Sequence, residues 1–473
     1  MKQLHFLIIY VIMRQGKDVC YKLLQRDLVY YISCIRDCCF ADNRNIYDLV
    51  VIDYIDSQFF LSLICFLGGH MLKEAILDDA KWNEFLTYKI NKEFVSQKEK
   101  KIFTDFVLNK KYRTICSQIA DGTYSFSVPK KHLISKGHSS KKRTVYTFSE
   151  EEMLILKFIA YLLYEYDYLF SPNLYSFRKN TSVKNAIHNL SHIKNLPNMY
   201  GYKVDISNYF NSIDIHLLLA NLERDLPDSL LFSLIESILK NDWVEYEGKQ
   251  LKEQKGVMAG TPISAFLANY YIREVDKFFW DQKLVYCRYA DDIILFCNQK
   301  EELILHQKEL IAFFEKYHLT INSDKEYFFA PKDKWEFLGF SFNHHTIDLS
   351  DNTIRKIKAK IRRSARGIRR WMLKKDAPYK IALKAMNRKY NRKFFGKQNR
   401  EELSWKYWFF PTITTSESLK IIDNYMQEQQ RYIVTGKHNK RNYKIVPYTL
   451  LKECHYQSLV HEYYKNLSLD VKH

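Results

Sequence analysis

Three aspartates stand beside apolar, strand-like stretches of this sequence. Asp205 closes an alternating apolar segment, whereas Asp291 and Asp292 lie together between the apolar stretches 284–289 and 293–296. The first pattern predicts a strand that places its acid at a sheet edge, and the second predicts a β-hairpin with two carboxylates at its tip. An isolated pair of aspartates is typical of a solvated turn, so the flanking strands and the third acid are what indicate chemistry.

These carboxylates need a counter-cation, because adjacent acids buried between strands are costly unless something neutralises them. Mg²⁺ favours one or two carboxylates together with substrate phosphates, which makes it the natural partner. If Asp205 meets Asp291 across the sheet, two metal ions about 4 Å apart can hold the attacking and leaving oxygens of an in-line phosphoryl transfer. The residues therefore predict a site for two Mg²⁺ ions, with Mn²⁺ as the alternative ion.

The elements that must position these acids follow a mixed pattern. Residues 1–130 are helical in pattern and mixed in charge, residues 131–345 alternate strand-like runs with helical stretches, and residues 346–473 are helical, basic and aromatic. The middle region predicts an α+β fold. The step in charge near Arg355 predicts the start of a C-terminal domain.

The net charge of +19 is concentrated in one stretch of the sequence. Between Arg355 and Arg400 there are 19 Lys and Arg residues against one acid, Asp376. This density predicts a track for a nucleic-acid phosphate backbone, with an anionic membrane surface as the alternative. The nine cysteines are scattered, and the apolar runs 4–13 and 59–72 are too short to cross a membrane. We therefore expect a cytoplasmic protein with reduced thiols and no membrane segment.

The segment Tyr289-Ala-Asp-Asp292 resembles the Tyr-x-Asp-Asp signature of reverse transcriptases. Other segments resemble the remaining motifs of that family, in the expected order, over about 141–342. They are Lys141-Lys-Arg143 and Tyr175-Ser-Phe-Arg178 (fingers), 201–210 (motif A), 260–269 (motif B), 319–325 (motif D) and 337–340 (motif E, the primer grip). The style is closest to bacterial retron, group II intron and unclassified defence-associated reverse transcriptases.

The resemblance implies a right-hand polymerase with fingers, an antiparallel-sheet palm, a basic α-helical thumb and a helical N-terminal extension. It implies an RNA-directed DNA polymerase that uses dNTPs, with a dedicated non-coding RNA as template, a DNA product and a role in antiphage defence. A homo-oligomer or a partner protein, in a bacterial cytoplasm, completes this expectation. The alternatives are an RNA-directed RNA polymerase, disfavoured by Phe210 and Tyr289, and a catalytically silent RNA-binding scaffold, disfavoured by the complete set of acids.

Catalytic roles follow from the resemblance position by position. Asp205 and Asp291 are expected to ligate the metals together with the carbonyl of Ile206. Asp292 is also expected to be a catalytic, metal-binding residue, although the less essential member of its pair. Lys325 matches the general acid that protonates the pyrophosphate leaving group, although a solvated lysine is the alternative.

The resemblance also implies a nucleotide-binding set. Arg143 and Arg178 are expected to hold the triphosphate with their fork-shaped guanidinium groups, assisted by Lys141 or the lysine that follows it. Phe210 is expected to be a steric gate that excludes a 2′-hydroxyl, with an ordinary core position as the alternative. The other expected nucleotide contacts are Asn208, Tyr209 and Gly260.

Motif B predicts the start of a helix. Thr261 is a good N-cap, Pro262 suits the first helical position, and Gly260 allows the backbone to approach a base pair closely. This chain departs from the family pattern here, because Ala259 replaces the glutamine that typically contacts the nucleotide and Ala265 replaces a proline. The departures affect nucleotide contacts rather than metal chemistry.

The C-terminal region is expected to be a thumb that grips the template–primer duplex, with Trp371 as a stacking or packing anchor. Tyrosines between Tyr443 and Tyr464 are alternative primers through their hydroxyl groups, although packing inside the thumb is the favoured interpretation. The expected nucleic-acid contacts are Phe337, Leu338, Gly339, Arg362, Arg363, Arg369 and Arg370.

Overall fold

A computed structural model describes most of the chain. The described residues are 71–91, 95–135, 142–396 and 404–470. They divide into two compact units, the first made of 71–76 with 220–236 and the second of the other described residues. In the first unit, the buried carboxylate of Asp228 accepts hydrogen bonds from the N–H groups of Leu72 (2.6 Å) and Leu231 (2.9 Å). Residues 1–70 of the expected N-terminal extension, and Lys141, lie outside the described residues.

Helices account for much of the described chain. In chain order they are α1 (Met71–Leu77), α2 (Asp79–Ile90), α3 (Gln97–Leu108), α4 (Arg113–Ala120), α5 (Glu150–Leu162), α6 (Val183–Ser191), α7 (Tyr209–Ser212), α8 (Ile215–Asp225), α9 (Ser229–Lys240), α10 (Ser264–Tyr271), α11 (Arg273–Asp281), α12 (Lys300–Lys316), α13 (Asp351–Lys374), α14 (Tyr379–Phe395), α15 (Trp405–Trp408), α16 (Glu417–Thr435), α17 (Asn442–Ile445), α18 (Tyr448–Glu453) and α19 (Leu459–Asp470). Short 3₁₀ helices cover Leu163–Leu169, Leu196–Asn198 and Ser323–Lys325.

The strands of the described residues form three sheets. They are β1 (Lys130–Ser135), β2 (Lys142–Thr147), β3 (Tyr200–Asp205), β4 (Trp243–Tyr246), β5 (Lys249–Lys252), β6 (Val285–Tyr289), β7 (Asp292–Cys297), β8 (Tyr327–Phe329), β9 (Trp335–Phe337), β10 (Phe340–Asn343) and β11 (Thr346–Leu349). The sheet orders are β2-β1-β4-β5, β6-β7-β3-β8 and β11-β10-β9. The second sheet is antiparallel throughout, as predicted for the palm.

Strand β3 lies inside the palm sheet because its sequence allows close packing on both sides. A Cβ atom at Gly201 would lie 2.7 Å from the ring of Phe296 and 2.8 Å from that of Phe329, so only glycine admits both rings. Helix α12, whose buried face includes Leu310 and Phe314, packs against β3 and β7. Strand β3 is therefore held by aromatic packing on both neighbouring strands near its start and by helix α12.

The region after the palm is helical, as its sequence predicts. Helix α13 begins where Ser350 accepts a hydrogen bond from the N–H of Thr353 at 3.1 Å, an N-cap. Ile357, Ile361 and Ala365 recur on its buried stripe, and α13 packs against α14 and α16 through that stripe. The charged residues between them are left on the outer face, so one amphipathic helix supplies both core and basic surface.

Candidate active site

Strands β3 and β7 bring the predicted carboxylates together. Asp205, the last residue of β3, is the direct cross-strand partner of Asp292, the first residue of β7. Asp291 precedes Asp292 in the turn between β6 and β7, and its carbonyl accepts a hydrogen bond from the N–H of Ile206 at 3.1 Å. Because directly opposed residues of an antiparallel pair share one face of the sheet, Asp205 and Asp292 lie side by side.

Burial and mutual repulsion both act on these acids. Asp205 is only 5% exposed. Burial raises the pKa of Asp291, and the charge of Asp205 raises it further. Burial also raises the pKa of Asp292 to about 6; the charge of Lys203 opposes this shift, whereas those of Asp291 and Asp205 add to it. The cluster thus carries an excess of negative charge, which a divalent cation would relieve.

Lys325 supplies one positive charge directly at this cluster. Its ammonium group donates a hydrogen bond to Oδ2 of Asp205 at 2.8 Å. Burial works against the ammonium charge, but the bond to Asp205 and its negative charge raise the pKa of Lys325 above its usual value. The segment before it is tied to β3, since the N–H of Asn322 donates to the carbonyl of Asp205 at 2.8 Å. The motif D segment is therefore held at the acidic cluster by its hydrogen bonds to Asp205.

The donor set suits a metal that is completed by substrate. Within the described ranges, no three His, Cys, Asp or Glu side chains form a ready-made metal-binding group. Mg²⁺ usually takes one or two carboxylates and fills its remaining positions with water and phosphate oxygens. The edge formed by Asp205, Asp291 and Asp292 fits that pattern. The carbonyl of Ile206 as a ligand stays a prediction.

A network of hydrogen bonds holds the turn that carries Asp291. Ala290 adopts a left-handed conformation with φ 58°, which is strained for a residue with a side chain. Its N–H donates to Oγ of Ser176 at 2.8 Å, and that hydroxyl donates to Oδ1 of Asn269 at 3.0 Å. Ser176 of the fingers motif and Asn269 of helix α10 thus hold the turn in place through hydrogen bonds.

Arg288 joins this network from inside the sheet. Its guanidinium is fully buried and pairs with Asp276, with Nε donating at 2.7 Å and Nη2 at 2.5 Å. It also donates to the carbonyls of Ala290 (3.3 Å) and Asn269 (3.0 Å). The supporting roles of Arg288 and Asp276 were not predicted from the sequence. The sequence feature that could have revealed them is an arginine in an otherwise apolar strand directly before the Tyr-Ala-Asp-Asp segment, because such an arginine indicates a buried, paired charge.

Phe210 is linked through Phe177 to Tyr289 of the Tyr-Ala-Asp-Asp segment and is held by its surroundings. Its ring makes an edge contact with that of Phe177, with centroids 6.2 Å apart, and Phe177 also contacts Tyr289. The N–H of Val257 donates to the carbonyl of Phe210 at 2.9 Å. A Cβ atom at Gly256 would collide with that carbonyl, and φ there is +54°. Gly256 is therefore a further residue that positions Phe210, and sequence reasoning missed it.

Asn208 and Tyr209, the two residues before Phe210, differ in exposure. Asn208 is exposed in a left-handed conformation with φ 48°, which leaves its expected nucleotide contact open. Tyr209 is 2% exposed, and its hydroxyl donates to the carbonyl of Ala268. The structure therefore places Tyr209 in the core, which corrects its expected contact with the nucleotide. The reason is that residues 209 and 210 start a short helix, which turns consecutive side chains in different directions.

The two expected triphosphate arginines differ in their surroundings. Arg143 is exposed on β2, and its charge acts on Asp291. Arg178 is already engaged, because it donates twice to the carboxylate of Asp167 (2.8 and 2.7 Å) and also to the carbonyls of Ser171 and Leu174 (2.9 and 3.1 Å). Binding a triphosphate would require Arg178 to give up or share these bonds, so its role stays a prediction.

Motif B begins its helix later than expected. Helix α10 starts at Ser264, and Thr261 uses its hydroxyl to bond Ser264 rather than to cap backbone N–H groups, which corrects the predicted N-cap. Gly260 has φ 107°, and a Cβ atom there would lie 2.9 Å from the carbonyl oxygen of Tyr146. The glycine therefore permits a close approach to strand β2. This contact lies within the protein, where the sequence analysis expected a base pair.

The expected primer-grip residues form a tight turn. Leu338 (φ 50°) and Gly339 (φ 89°) connect β9 to β10, and the carbonyl of Gly339 accepts hydrogen bonds from Ser350 and Thr353, both at 3.0 Å. This turn is thus attached to the start of α13. Phe337 is fully buried in the core, which corrects its expected contact with nucleic acid.

The four arginines of α13 that were expected to contact nucleic acid divide into two groups. Arg362, Arg363 and Arg370 are exposed. Arg369 instead donates from Nη1 to the carbonyls of Ile433 (2.8 Å) and Val434 (3.2 Å), at the end of α16. The structure therefore assigns Arg369 to a helix C-cap, which corrects its expected contact with nucleic acid.

This division leads to a prediction. Changing Arg362, Arg363 and Arg370 together to glutamine should weaken RNA binding and reduce its salt dependence by about 0.7–0.9 units of slope per lost phosphate contact. Arg369→Gln should instead destabilise the fold by about 1–3 kcal/mol, because buried carbonyls lose their donor, and should change the salt slope little. Binding titrations over a range of KCl concentrations and thermal melting measure both effects. A flatter slope in Arg369→Gln with an unchanged melting temperature would contradict the assignment.

Two of the terminal tyrosines are committed to packing. The hydroxyl of Tyr456 donates to Asp423 at 2.8 Å, and that of Tyr463 donates to the carbonyl of Ile413 at 3.0 Å. Both side chains are buried. Tyr443 and Tyr464 are more than half exposed. Any priming hydroxyl in this region would therefore come from the exposed tyrosines.

An acidic edge on an antiparallel sheet, followed by a basic helical region, is the arrangement that the sequence predicted for a palm and thumb. Residues 128–342 match the family model described as reverse transcriptase (RNA-dependent DNA polymerase). Residues 128–342 are therefore a reverse transcriptase domain, which confirms the resemblance and the right-hand polymerase fold class predicted from sequence.

Similarity to known proteins is concentrated in part of the chain. The Retron Ec83 reverse transcriptase of Escherichia coli is 30% identical over 135 residues, which cover 27% of this chain and 42% of that protein. The group II intron-encoded protein LtrA of Lactococcus lactis subsp. cremoris is 26% identical over 190 residues, covering 39% of this chain and 31% of that protein. This chain thus spans less than half the length of these curated relatives. A solved telomerase from Candida tropicalis has a TM-score of 0.38 and 16% identity, covering 52% of this chain and 60% of that one. No helix in the described parts of the chain is long and apolar enough to cross a membrane.

Proposed function

We propose that this chain is an RNA-directed DNA polymerase that copies an RNA template into DNA by metal-assisted nucleotidyl transfer. The observation that carries the proposal is the direct cross-strand pairing of Asp205 with Asp292, with Asp291 in the adjoining turn. Burial and repulsion raise the pKa values of Asp291 and Asp292, so the site is poised to accept divalent cations. The match of residues 128–342 to the reverse transcriptase family supports the same reaction.

The residues divide the work of one in-line displacement. Two Mg²⁺ ions held by Asp205 and Asp291 would activate the primer 3′-hydroxyl and stabilise the leaving pyrophosphate. Arg143, exposed beside the acids, would bind the triphosphate through charge-assisted hydrogen bonds. Lys325 is protonated next to Asp205 and would deliver a proton or positive charge to the departing group. Phe210 would pack against the sugar of the incoming nucleotide.

Primer extension tests the proposal directly. The purified protein should extend an annealed primer on an RNA template when given dNTPs and MgCl₂, and should stop when EDTA is added. Parallel reactions with rNTPs, and with MnCl₂, separate the alternatives. Extension with rNTPs alone would favour an RNA polymerase, and RNA binding without extension under every condition would favour a silent scaffold.

The expected steric gate yields a prediction about sugar selection. Phe210→Ala should keep dNTP use measurable and raise the ratio of rNTP to dNTP incorporation, because the wall against the 2′-hydroxyl is gone. Gly256→Ala should act in the same direction by displacing the Phe210 backbone. Phe328→Ala, which removes an exposed ring from edge strand β8, is the matched control and should leave the ratio unchanged. A ratio in Phe210→Ala equal to that of the wild type would rule out the gate.

We further propose that the template is a dedicated non-coding RNA and that the activity serves antiphage defence. The density of Lys and Arg after Arg355 supports retention of a long RNA. Sequencing the RNA that co-purifies with the chain should reveal one dominant species with DNA copies of its sequence. Phage plating on cells with the wild-type chain or with the inactive aspartate variant tests the role in defence. Equal plating efficiency would reject it.

A further inference from the structure

A second basic element lies outside the polymerase site and the stretch 355–400. The segment 436–445, called here the basic loop, contains Lys437, Lys440, Arg441 and Lys444, and no acid occurs between Glu428 and Glu453. All four cations are exposed. Among the residues that the structure describes, none of the four takes part in an ion pair. The loop therefore presents uncompensated positive charge to solvent.

The basic loop has a defined shape. Gly436 starts it in a left-handed conformation with φ 70°. Asn442, only 4% exposed, donates from Nδ2 to the carbonyl of Lys437 at 2.6 Å and closes the loop across its base. The rings of Tyr432 and His438 stack with centroids 4.8 Å apart. The cations are thus presented on a pre-organised frame, which reduces the ordering cost of binding.

Helix capping does not account for this charge. Cations often collect near helix C-termini because they stabilise the last carbonyls. At the end of α16, however, Arg369 already donates to those carbonyls, as described above. The lysines of the basic loop are therefore surplus to that need.

Tyr443 gives the basic loop a stacking surface. Its side chain is 53% exposed, and the guanidinium of Arg431 lies 4.1 Å from its ring centroid on the inner side. Arg431 is 3% exposed and donates from Nε to the carbonyl of Val446 at 3.1 Å, whereas its buried Nη1 has no partner among the described atoms. Burial lowers the pKa of Arg431, although Tyr443 and Glu428 favour its charged form. A poorly compensated cation thus lies beneath an exposed aromatic face.

The basic loop starts beside helix α13. Gly436 lies against the guanidinium of Arg369, and the next residues of α13 are the exposed Arg370 and Trp371. The basic loop therefore begins next to α13.

We propose that the basic loop is a second RNA-binding site, which holds a single-stranded or looped RNA segment with phosphates on its lysines and one base stacked on Tyr443. Phosphate contacts combined with stacking on an aromatic ring are the chemistry by which proteins hold single strands. The inference rests on the proposed RNA partner but not on DNA synthesis. It assigns the C-terminal region a part in retaining RNA away from the acids.

Binding to a short labelled single-stranded RNA tests the charge. The loop variant carries Lys437→Gln, Lys440→Gln, Arg441→Gln and Lys444→Gln, and the matched control loses four exposed lysines elsewhere, at 283, 300, 308 and 316. In fluorescence anisotropy over a KCl series, the loop variant should lose about 0.7 units of salt slope per broken phosphate contact. The control should bind like the wild type. Equal losses in both variants would overturn the proposal, because net charge alone would then explain binding.

Tyr443 tests the stacking separately. Tyr443→Ala should weaken binding of the same RNA by about 5- to 150-fold, the equivalent of 1–3 kcal/mol for one stacked base, whereas Tyr443→Phe should bind like the wild type. Thermal melting of both variants identifies any loss of folding. If Tyr443→Ala binds RNA as tightly as the wild type while remaining folded, the stacking site is rejected.

Two further measurements distinguish RNA binding by the basic loop from binding to a membrane and from a failure of the proposed polymerase function. Sedimentation with phosphatidylglycerol vesicles should not separate the loop variant from the control; loss of vesicle binding with intact RNA binding would overturn the proposal. The RNA titrations are repeated with Asp291→Asn and Asp292→Asn in the background. If the loop variant loses RNA binding, the proposed RNA-binding site is supported even if the chain makes no DNA. If the chain makes DNA but the loop variant binds RNA like the wild type, the RNA-binding site is rejected and the polymerase function stands.

Discussion

Replacing Asp291 and Asp292 together with asparagine should lower DNA synthesis by about a thousandfold or more, as expected when charged groups that stabilise a transition state are removed. Both residues lie at the hairpin tip opposite Asp205, and asparagine preserves their size while removing the charge that would hold the metals. RNA binding should persist, because the exposed cations of α13 and of the basic loop are unchanged. Primer extension and RNA titration on the same protein preparation measure both results.

The same variant should also be no less stable than the wild type in EDTA. Burial and neighbouring charges raise the pKa values of Asp291 and Asp292, which means that their ionised forms oppose folding when no cation is present. Removing the charges should therefore maintain or raise the melting temperature at neutral pH.

The matched control for DNA synthesis is Glu301→Gln with Glu302→Gln, an adjacent pair of exposed acids at the start of α12, which should retain full activity. Substantial extension by the aspartate variant would overturn the active-site assignment.

Arg288→Ala should destabilise the protein by about 3–5 kcal/mol, because it leaves the carboxylate of Asp276 buried without its partner. Both side chains are fully buried, and the pair is closed by two hydrogen bonds. Lys277→Ala, which breaks an exposed ion pair with Asp281, is the control and should cost at most about 1 kcal/mol. Urea denaturation followed by tryptophan fluorescence provides the comparison.

A paired substitution separates stability from positioning. Arg288→Met combined with Asp276→Leu should recover much of the lost stability, since apolar residues often replace a buried ion pair without penalty. It should not recover kcat, because the turn at Ala290 still lacks the donor that held its carbonyl at 3.3 Å. A stable double variant with the kcat of the wild type would reduce Arg288 to a packing role.

The chemistry of this chain was predictable from local sequence because the acids sit in contiguous strand patterns. Alternation up to Asp205 and the apolar runs around Asp291 and Asp292 predicted a strand and a hairpin, and the structure contains both. The ordered motifs predicted a reverse transcriptase domain, which the family match confirms. The helical and basic pattern of residues 346–473 predicted a helical region with dense positive charge, and the structure contains helices α13 to α19 there.

Only the tertiary structure decided which side chains face the site and which support it. Tyr209, Phe337 and Arg369 look like functional residues by position, yet packing places the first two in the core and uses the third to cap α16. Ser176 and Asn269 lie inside predicted motifs and Arg288 directly precedes one, but their supporting roles could not be predicted because their partners lie far away in sequence. Such contacts depend on how sheets and helices meet in space. Motif spacing thus locates the chemistry, whereas burial and long-range hydrogen bonds determine the supporting residues.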